Sequence, residues 1–270
     1  MRSLRAGGLA GIIAAMLPIV LAACGPATGG HDVAAADTVR VLAYNIHHGE
    51  GMDSVVDLAR IAKLIRDVRP DLVAVQEVDS VVERTGGVDQ AAELGSLTKL
   101  NAAFGSFMPY QGGAYGMAIL SRWPIARFEN IRLPDGDEPR SALSGIVELP
   151  RTGARLRFVG IHLYRTEAER LGQARSLEEQ LGSDSIPTLL AGDFNSEPGT
   201  AVMEHLSSAW RIVDKGEDSL TFPSYGPERE IDYVLLRPSR RFQVLSERVL
   251  DEPVASDHRP ILVELAVTRR

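Results

Sequence analysis

VRVLAYNI (residues 39–46) and LVAVQEV (residues 72–78) are the two stretches that set the fold. Each is almost continuously apolar, as a strand reads when both faces of its sheet are covered. An amphipathic helix is expected between them. Asp53 or Ser54 can cap it, and Val55, Leu58, Ile61, Ala62, Ile65 and Val68 recur at the spacing of one helix face before Pro70. Two buried strands joined by such a helix belong to a sheet with a helical layer on its outer face.

Downstream, Asp89 can cap a short helix in DQAAELGSLTKL. Strand-like runs follow at Tyr115–Ser121, Ile125–Leu133, Ala142–Leu149 and Arg155–Leu163, with turn residues between them, and suggest antiparallel meanders. Thr166 and Glu169 form a T-x-x-E capping box for a helix to about Leu181. Pro187–Ala191 starts another buried strand ending in Gly-Asp-Phe-Asn, and further strands are expected at Ile231–Leu236, Phe242–Leu250 and Ile261–Val267. Roughly ten strands and few helices predict an α/β protein built of two mostly antiparallel sheets packed face to face, with helices outside.

The chain has 270 residues, 44% hydrophobic and 24% charged, which excludes disordered and fibrous classes. A formal charge of −7 lacks the basic footprint of a protein that tracks a nucleic-acid backbone. A single cysteine excludes an internal disulfide framework. Arg2 and Arg5, the apolar stretch Leu9–Val20 and the small residues Ala22-Ala23 before Cys24 read as a secretory signal peptide over residues 1–23. The apolar stretch is short of the ~20 residues of a membrane span. The segment resembles the lipobox of bacterial lipoproteins. That resemblance implies lipidation of Cys24, a flexible tether over residues 24–38, a domain over residues 39–270, and an exported protein anchored to the cell envelope. No aspartate follows Cys24, which by Gram-negative sorting rules leans toward the outer membrane.

The chemistry shows as a repeated event, in which an apolar run ends in an acid, an amide or a histidine. It occurs at Asn45, Glu77, His162, Asp193 with Asn195, Asp232, and Asp257 with His258. Each taken singly reads equally well as a turn, a solvated strand end or a hydrogen-bonded core residue. Six together, on strands of packed sheets, suggest a common rim where sites are built. Carboxylates with amide oxygens suit a hard cation such as Mg2+ or Mn2+, and histidines beside carboxylates suit proton transfer. No P-loop, zinc-type Cys/His cluster or G-x-S-x-G elbow is present.

The segments LAYNIHHG, VAVQEVD, YGMAILSR, GIHL, AGDFN, EIDYVLL and SDHRPI, in this order, resemble the endonuclease/exonuclease/phosphatase superfamily. The resemblance spans residues 39 to 263 and implies a four-layer α/β/β/α sandwich and metal-dependent hydrolysis of phosphoric esters with Mg2+ or Mn2+. It implies metal-site roles for Asn45, Glu77 and Asp257, and catalytic roles for His162, Asp193, Asn195, Asp232 and His258. His258 corresponds to the general base of the SDH motif, Asp232 to the acid that orients it, and Asp193 to the residue that holds the attacking water. Arg84, Arg140 and Tyr115 are the expected substrate-binding side chains. Where the family usually has Asn-Thr before the histidine, this chain has Gly160-Ile161, so the support of His162 is expected to differ. His47 and His48 recur in the compact bacterial branch that the chain most resembles. The expected substrate is a phosphodiester, with a lipid headgroup or another small diester favoured over nucleic acid, and the expected state is a monomer. A secreted nuclease and a catalytically silent binding module of the same fold are the other readings.

Overall fold

The structure is a computed structural model describing residues 36–182 and 185–268. The expected signal peptide and Cys24 lie outside the described residues. Among the described residues no helix is long and apolar enough to cross a membrane.

Two six-stranded mixed sheets carry the fold. The strands are β1 (Ala36–Asn45), β2 (Leu72–Ser80), β3 (Asn101–Tyr110), β4 (Gly113–Ser121), β5 (Arg127–Arg132), β6 (Ser141–Glu148), β7 (Arg155–His162), β8 (Thr188–Asp193), β9 (Arg211–Ile212), β10 (Asp232–Arg237), β11 (Phe242–Val249) and β12 (Ile261–Thr268). The first sheet runs β11-β12-β1-β2-β4-β3 and the second β5-β6-β7-β8-β10-β9. The pairs β1/β2 and β7/β8 are parallel, and the other neighbours are antiparallel. The helices α1 (Leu58–Val68) and α3 (Glu167–Leu181) make the two parallel crossovers, with α2 (Gln90–Thr98) and α4 (Ala201–Ser207) beside them.

Alternation along the strands divides the apolar residues into three layers. Val39, Val41 and Ala43 of β1 join Ala74, Met117, Phe158, Leu189 and Val234 between the sheets. Leu42 and Tyr44 point the other way and pack with Ile61, Ile65 and Leu94 of α1 and α2. Val159, Ile161, Leu190 and Leu235 pack with Ala174 and Leu177 of α3 and Val202 and Leu206 of α4. The result is the expected α/β/β/α sandwich.

Three boundaries differ from expectation. Strand β1 begins at Ala36, so Asp37 and Thr38, assigned to the tether, pair with Val267 and Ala266 of β12. The buried Asp37 carboxylate accepts hydrogen bonds from the Arg151 and Thr152 amides and the Thr152 hydroxyl, tying the first sheet to the β6–β7 turn. Helix α1 starts after Asp57, whose side chain accepts from the Arg60 amide. Neither Asp53 nor Ser54 caps it, because Glu50 and Val56 form a β-bridge that folds this segment back, leaving Val55 and Val56 exposed. The expected meander is split: β4 pairs with β2 and β3 in the first sheet, and only β5, β6 and β7 run on in the second. Asp89 caps α2, and Thr166 and Glu169 make both bonds of the capping box at α3.

Candidate active site

The topology delivers the chemistry to one edge. In parallel pairs the carboxyl ends of neighbouring strands lie together, and Asn45, His162 and Asp193 are the last residues of β1, β7 and β8. His162 is the register partner of Asp193. Strand β10 runs antiparallel to β8, so its first residue, Asp232, also partners Asp193. Glu77 arrives by another device. The register of β2 on β4 jumps between Gln76 and Val78, and Glu77 sits there with φ of 58°, unpaired in the ladder. Such a bulge re-aims a side chain. Gly192 is required before Asp193, since its φ is 144° and a Cβ there would stand 2.0 Å from the Ile161 carbonyl oxygen.

The Asn45 side-chain amide donates to Glu77 Oε1 at 3.0 Å and to Asp193 Oδ2 at 3.2 Å. Asn195 donates its backbone N–H to Asp193 Oδ1 at 2.8 Å and its side-chain amide to Asp193 Oδ2 at 3.3 Å. His258 Nε2 lies 3.7 Å from Asp193 Oδ2, and its Nδ1 is 2.9 Å from Asp232 Oδ2. His162 Nε2 lies 3.4 Å from Asp193 Oδ2 and 3.2 Å from the Asn195 side-chain nitrogen. Asp193 is therefore the hub. The loop carrying Asp257 and His258 is pinned by Ser256, whose hydroxyl donates to the Asn45 carbonyl at 2.7 Å.

Burial, together with the charge of Asp232, pushes the Asp193 carboxyl up to about 7. Burial works against charge on His258, but Asp232 and Asp193 outweigh it and raise the imidazole to about 10. His162 is held well below its ordinary value by burial, then by Arg140 and His258. The two histidines are pushed in opposite directions, His258 toward its charged form and His162 toward its neutral one. Environment thus separates their roles. The departure before His162 has a visible consequence: Ile161 packs into the outer core and His162 Nδ1 is buried with no hydrogen-bond partner.

The cleft above this hub measures about 340 Å³ and is walled by Tyr110, Tyr115, Tyr164 and Phe222. All three expected substrate-binding residues line it. The Arg84 fork is held by Asp79, with Nε–Oδ2 2.7 Å and Nη2–Oδ1 2.9 Å, and stacks on Tyr110 and Tyr115. Arg140 is buried against Phe107, Tyr115 and Tyr164 and pairs with Glu138, while its Nε has no partner. Sequence reasoning missed Tyr110, Tyr164 and Phe222. Phe222, whose ring stands 4.8 Å from that of His258, sits in a stretch with no strand signal.

Glu77 and Asp257 line the same cleft. Among the described residues no lysine or arginine pairs with either, although carboxylates at a closed-in site ordinarily find a cation. Two carboxylates on one cleft are donors of the kind a hard divalent ion takes, while the Asn45 amide oxygen accepts from the His47 N–H. Two groups bring one ligand atom from each residue within 4.8 Å of the others: His47, His48 and Glu77, and Asp193, Asp232 and His258.

Fold and site define a two-sheet sandwich with an acid- and histidine-lined cleft at one edge. The endonuclease/exonuclease/phosphatase family model matches residues 42–258, and the chain belongs to that family, whose members are generally hydrolases acting on phosphoesters. The chain is 28% identical over 243 residues to YbhP, an uncharacterized protein of Escherichia coli strain K12, covering 84% of this chain and 95% of the relative. It is similar to the crystal structure of an endonuclease/exonuclease/phosphatase from Beutenbergia cavernae, with 25% identity and a TM-score of 0.68, covering 86% of this chain and 72% of that one. It also shares its fold with a mannosyl-6-phosphatase of Bacteroides thetaiotaomicron, at 19% identity and a TM-score of 0.68, covering 84% and 99% of the two chains.

Proposed function

We propose that the cleft hydrolyses a small phosphoric ester, a diester in preference to a monoester, by direct attack of water on phosphorus. The observation that carries the reading is the position of Asp193. It is a buried carboxylate with a raised pKa, flanked by His258 and His162 and facing a cleft that also holds Glu77 and Asp257. A divalent cation bound by Glu77 and Asp257 would offset charge on the phosphate oxygens and on the departing oxygen.

The chain's own groups supply the rest. With its pKa near neutrality, Asp193 is basic enough to take the proton of the attacking water. His258, assigned the general-base role by resemblance, is pushed toward its charged form by Asp232 and Asp193. It therefore serves better as a fixed positive charge toward the phosphoryl oxygens, with Asp232 holding its ring. Asn195 and His162 stand beside the same Asp193 oxygen as His258 and can hold a further phosphoryl oxygen.

Several features favour a small diester or a lipid headgroup. The formal charge of −7 and 6% aromatic content give little to grip a long nucleic-acid strand. The cleft is small and walled by tyrosines, with Arg84 and Arg140 at hand for an anionic oxygen. A lipidated Cys24 would keep the enzyme beside such headgroups. Labelled fatty acid should enter the full chain and not Cys24→Ser, and label in both would remove the anchor from this proposal. The name of the Bacteroides relative makes a sugar phosphate the monoester to compare.

The test is a panel of bis-p-nitrophenyl phosphate, lysophospholipid, sphingomyelin, mannose 6-phosphate and plasmid, each with Mg2+, Mn2+ or a chelator. Chelator-sensitive turnover of a small diester or lipid supports the proposal. Plasmid nicking alone would replace it with a nuclease, and no turnover with any member would replace it with a binding module.

A further inference from the structure

We propose that His47, His48 and Glu77 form a cation site that prefers a nitrogen-seeking first-row transition ion, such as Zn2+, over Mg2+. The site shares Glu77 with the cleft but uses neither Asp193 nor His258, and it does not depend on which ester, if any, is cleaved.

The three side chains bring one ligand atom each within 4.8 Å of one another, although Glu77 lies thirty residues from the histidines in sequence. The histidines are aimed rather than loose. His47 Nδ1 is 3.2 Å from the Glu50 carbonyl oxygen, and His48 Nε2 is 3.2 Å from Glu50 Oε2. Both oxygens are acceptors, so the ring nitrogens facing them carry the protons. The lone pairs are then left on His47 Nε2 and His48 Nδ1. A metal-binding histidine is typically set in this way, with its other N–H given to a carboxylate or a backbone carbonyl.

Two further observations point to a ligand. His48 is buried, and its Nδ1 has no hydrogen-bond partner. A buried lone pair left unmet costs stability unless something fills it. Glu77 accepts from the Asn45 amide at one oxygen and, among the described residues, faces no lysine or arginine. Two imidazoles and one carboxylate make a mixed nitrogen and oxygen donor set. Mg2+ takes oxygen donors and keeps its waters, whereas imidazole favours zinc and its neighbours.

The test uses the untagged full chain. Zn2+ and Mg2+ affinities are measured by calorimetry for wild type, His47→Gln and His48→Gln, and the Cu2+-loaded wild type is examined by electron spin echo for imidazole nitrogen. The expected results are Zn2+ binding stronger than Mg2+ binding, at least about tenfold weaker Zn2+ binding in either variant, and a nitrogen echo in wild type. Unchanged Zn2+ affinity in both variants would overturn the proposal, since any bound ion would then sit elsewhere. If a variant does not fold, the wild-type echo decides, and its absence overturns the proposal equally. A chain that binds Zn2+ through these histidines but hydrolyses nothing would sink the hydrolase reading and leave this one standing.

Discussion

At the scale of single residues, the site works through unequal environments. Burial, with the charge of Asp232, raises Asp193 to about 7 against the pull of His258, Asn195 and Asn45, and Asp232 and Asp193 raise His258 to about 10. On the proposed mechanism, activity needs Asp193 unprotonated and His258 protonated. kcat/KM should rise with pH as the first loses its proton and fall as the second does; a profile still climbing at pH 10 would remove His258 as a positive group. The same shifts act on stability. The folded Asp193 holds its proton up to about 7, whereas an unfolded aspartate releases it at about 4. The folded state therefore binds more protons across that window, and stability falls as pH rises through it. In chelator, Asp193→Asn should flatten the decline in melting temperature between these pH values, and an identical slope in both chains would contradict the assignment. Identity of the site residues was legible from sequence because acids, amides and histidines closing apolar runs are conspicuous. Charge state was not, because it depends on neighbours as distant in sequence as Asn45 and His258. Neither was the solitary Nδ1 of His162, although Gly160-Ile161 before it was the visible cause.

At the scale of elements, positions come from strand direction and from one irregularity. The parallel pairs β1/β2 and β7/β8 carry four of the site residues to one edge, and the β2 bulge turns Glu77 out of the ladder. Buried strands were legible because continuous apolar runs admit few other readings. The bulge was not, since VAVQEVD looks like an uninterrupted strand. Strand β3 was overlooked because Ala, Gly and Ser interrupt its larger apolar residues, yet Ala103, Gly105 and Phe107 are buried alternately, a period of two that could have revealed it. Strand β10 has a hidden prop. Lys215 is buried, donates to the Asp232 carbonyl at 2.8 Å and pairs with Glu230 at 2.6 Å. Lys215→Ala would leave that carboxylate without its partner, and the loss of a buried pair costs about 3–5 kcal/mol. Denaturant unfolding should show a drop of that order, and a loss below about 1 kcal/mol would mean that the prop is dispensable. Glu77→Gln, by contrast, should raise the Mg2+ concentration needed for half-maximal turnover; an unchanged titration would take Glu77 out of the metal centre.

At the scale of the whole molecule, one apolar layer between the two sheets fixes how the halves of the site face each other. Asn45 and Glu77 come from the first sheet, and His162, Asp193 and Asp232 from the second. Phe158, fully buried in that layer, is where the two requirements meet. Phe158→Ala should cost about 3–5 kcal/mol in unfolding experiments, and it should lower turnover as well by loosening the facing of the sheets. Full activity at that stability loss would show the site to be insensitive to inter-sheet packing. The sandwich itself was legible in the count and order of the apolar runs. The assignment of β4 to the first sheet was not, because sequence adjacency to β5 argues for one meander and only tertiary pairing decides otherwise. The central claim is that residues from both sheets make one metal-assisted hydrolytic centre. It is tested most directly by the turnover of bis-p-nitrophenyl phosphate by the full chain with Mn2+, compared between wild type and His258→Ala. The account predicts chelator-sensitive hydrolysis that falls roughly 10²–10³-fold in the variant, the usual loss when one preorganised electrostatic group is removed. Equal rates in the two chains, or hydrolysis indifferent to chelator, would contradict it.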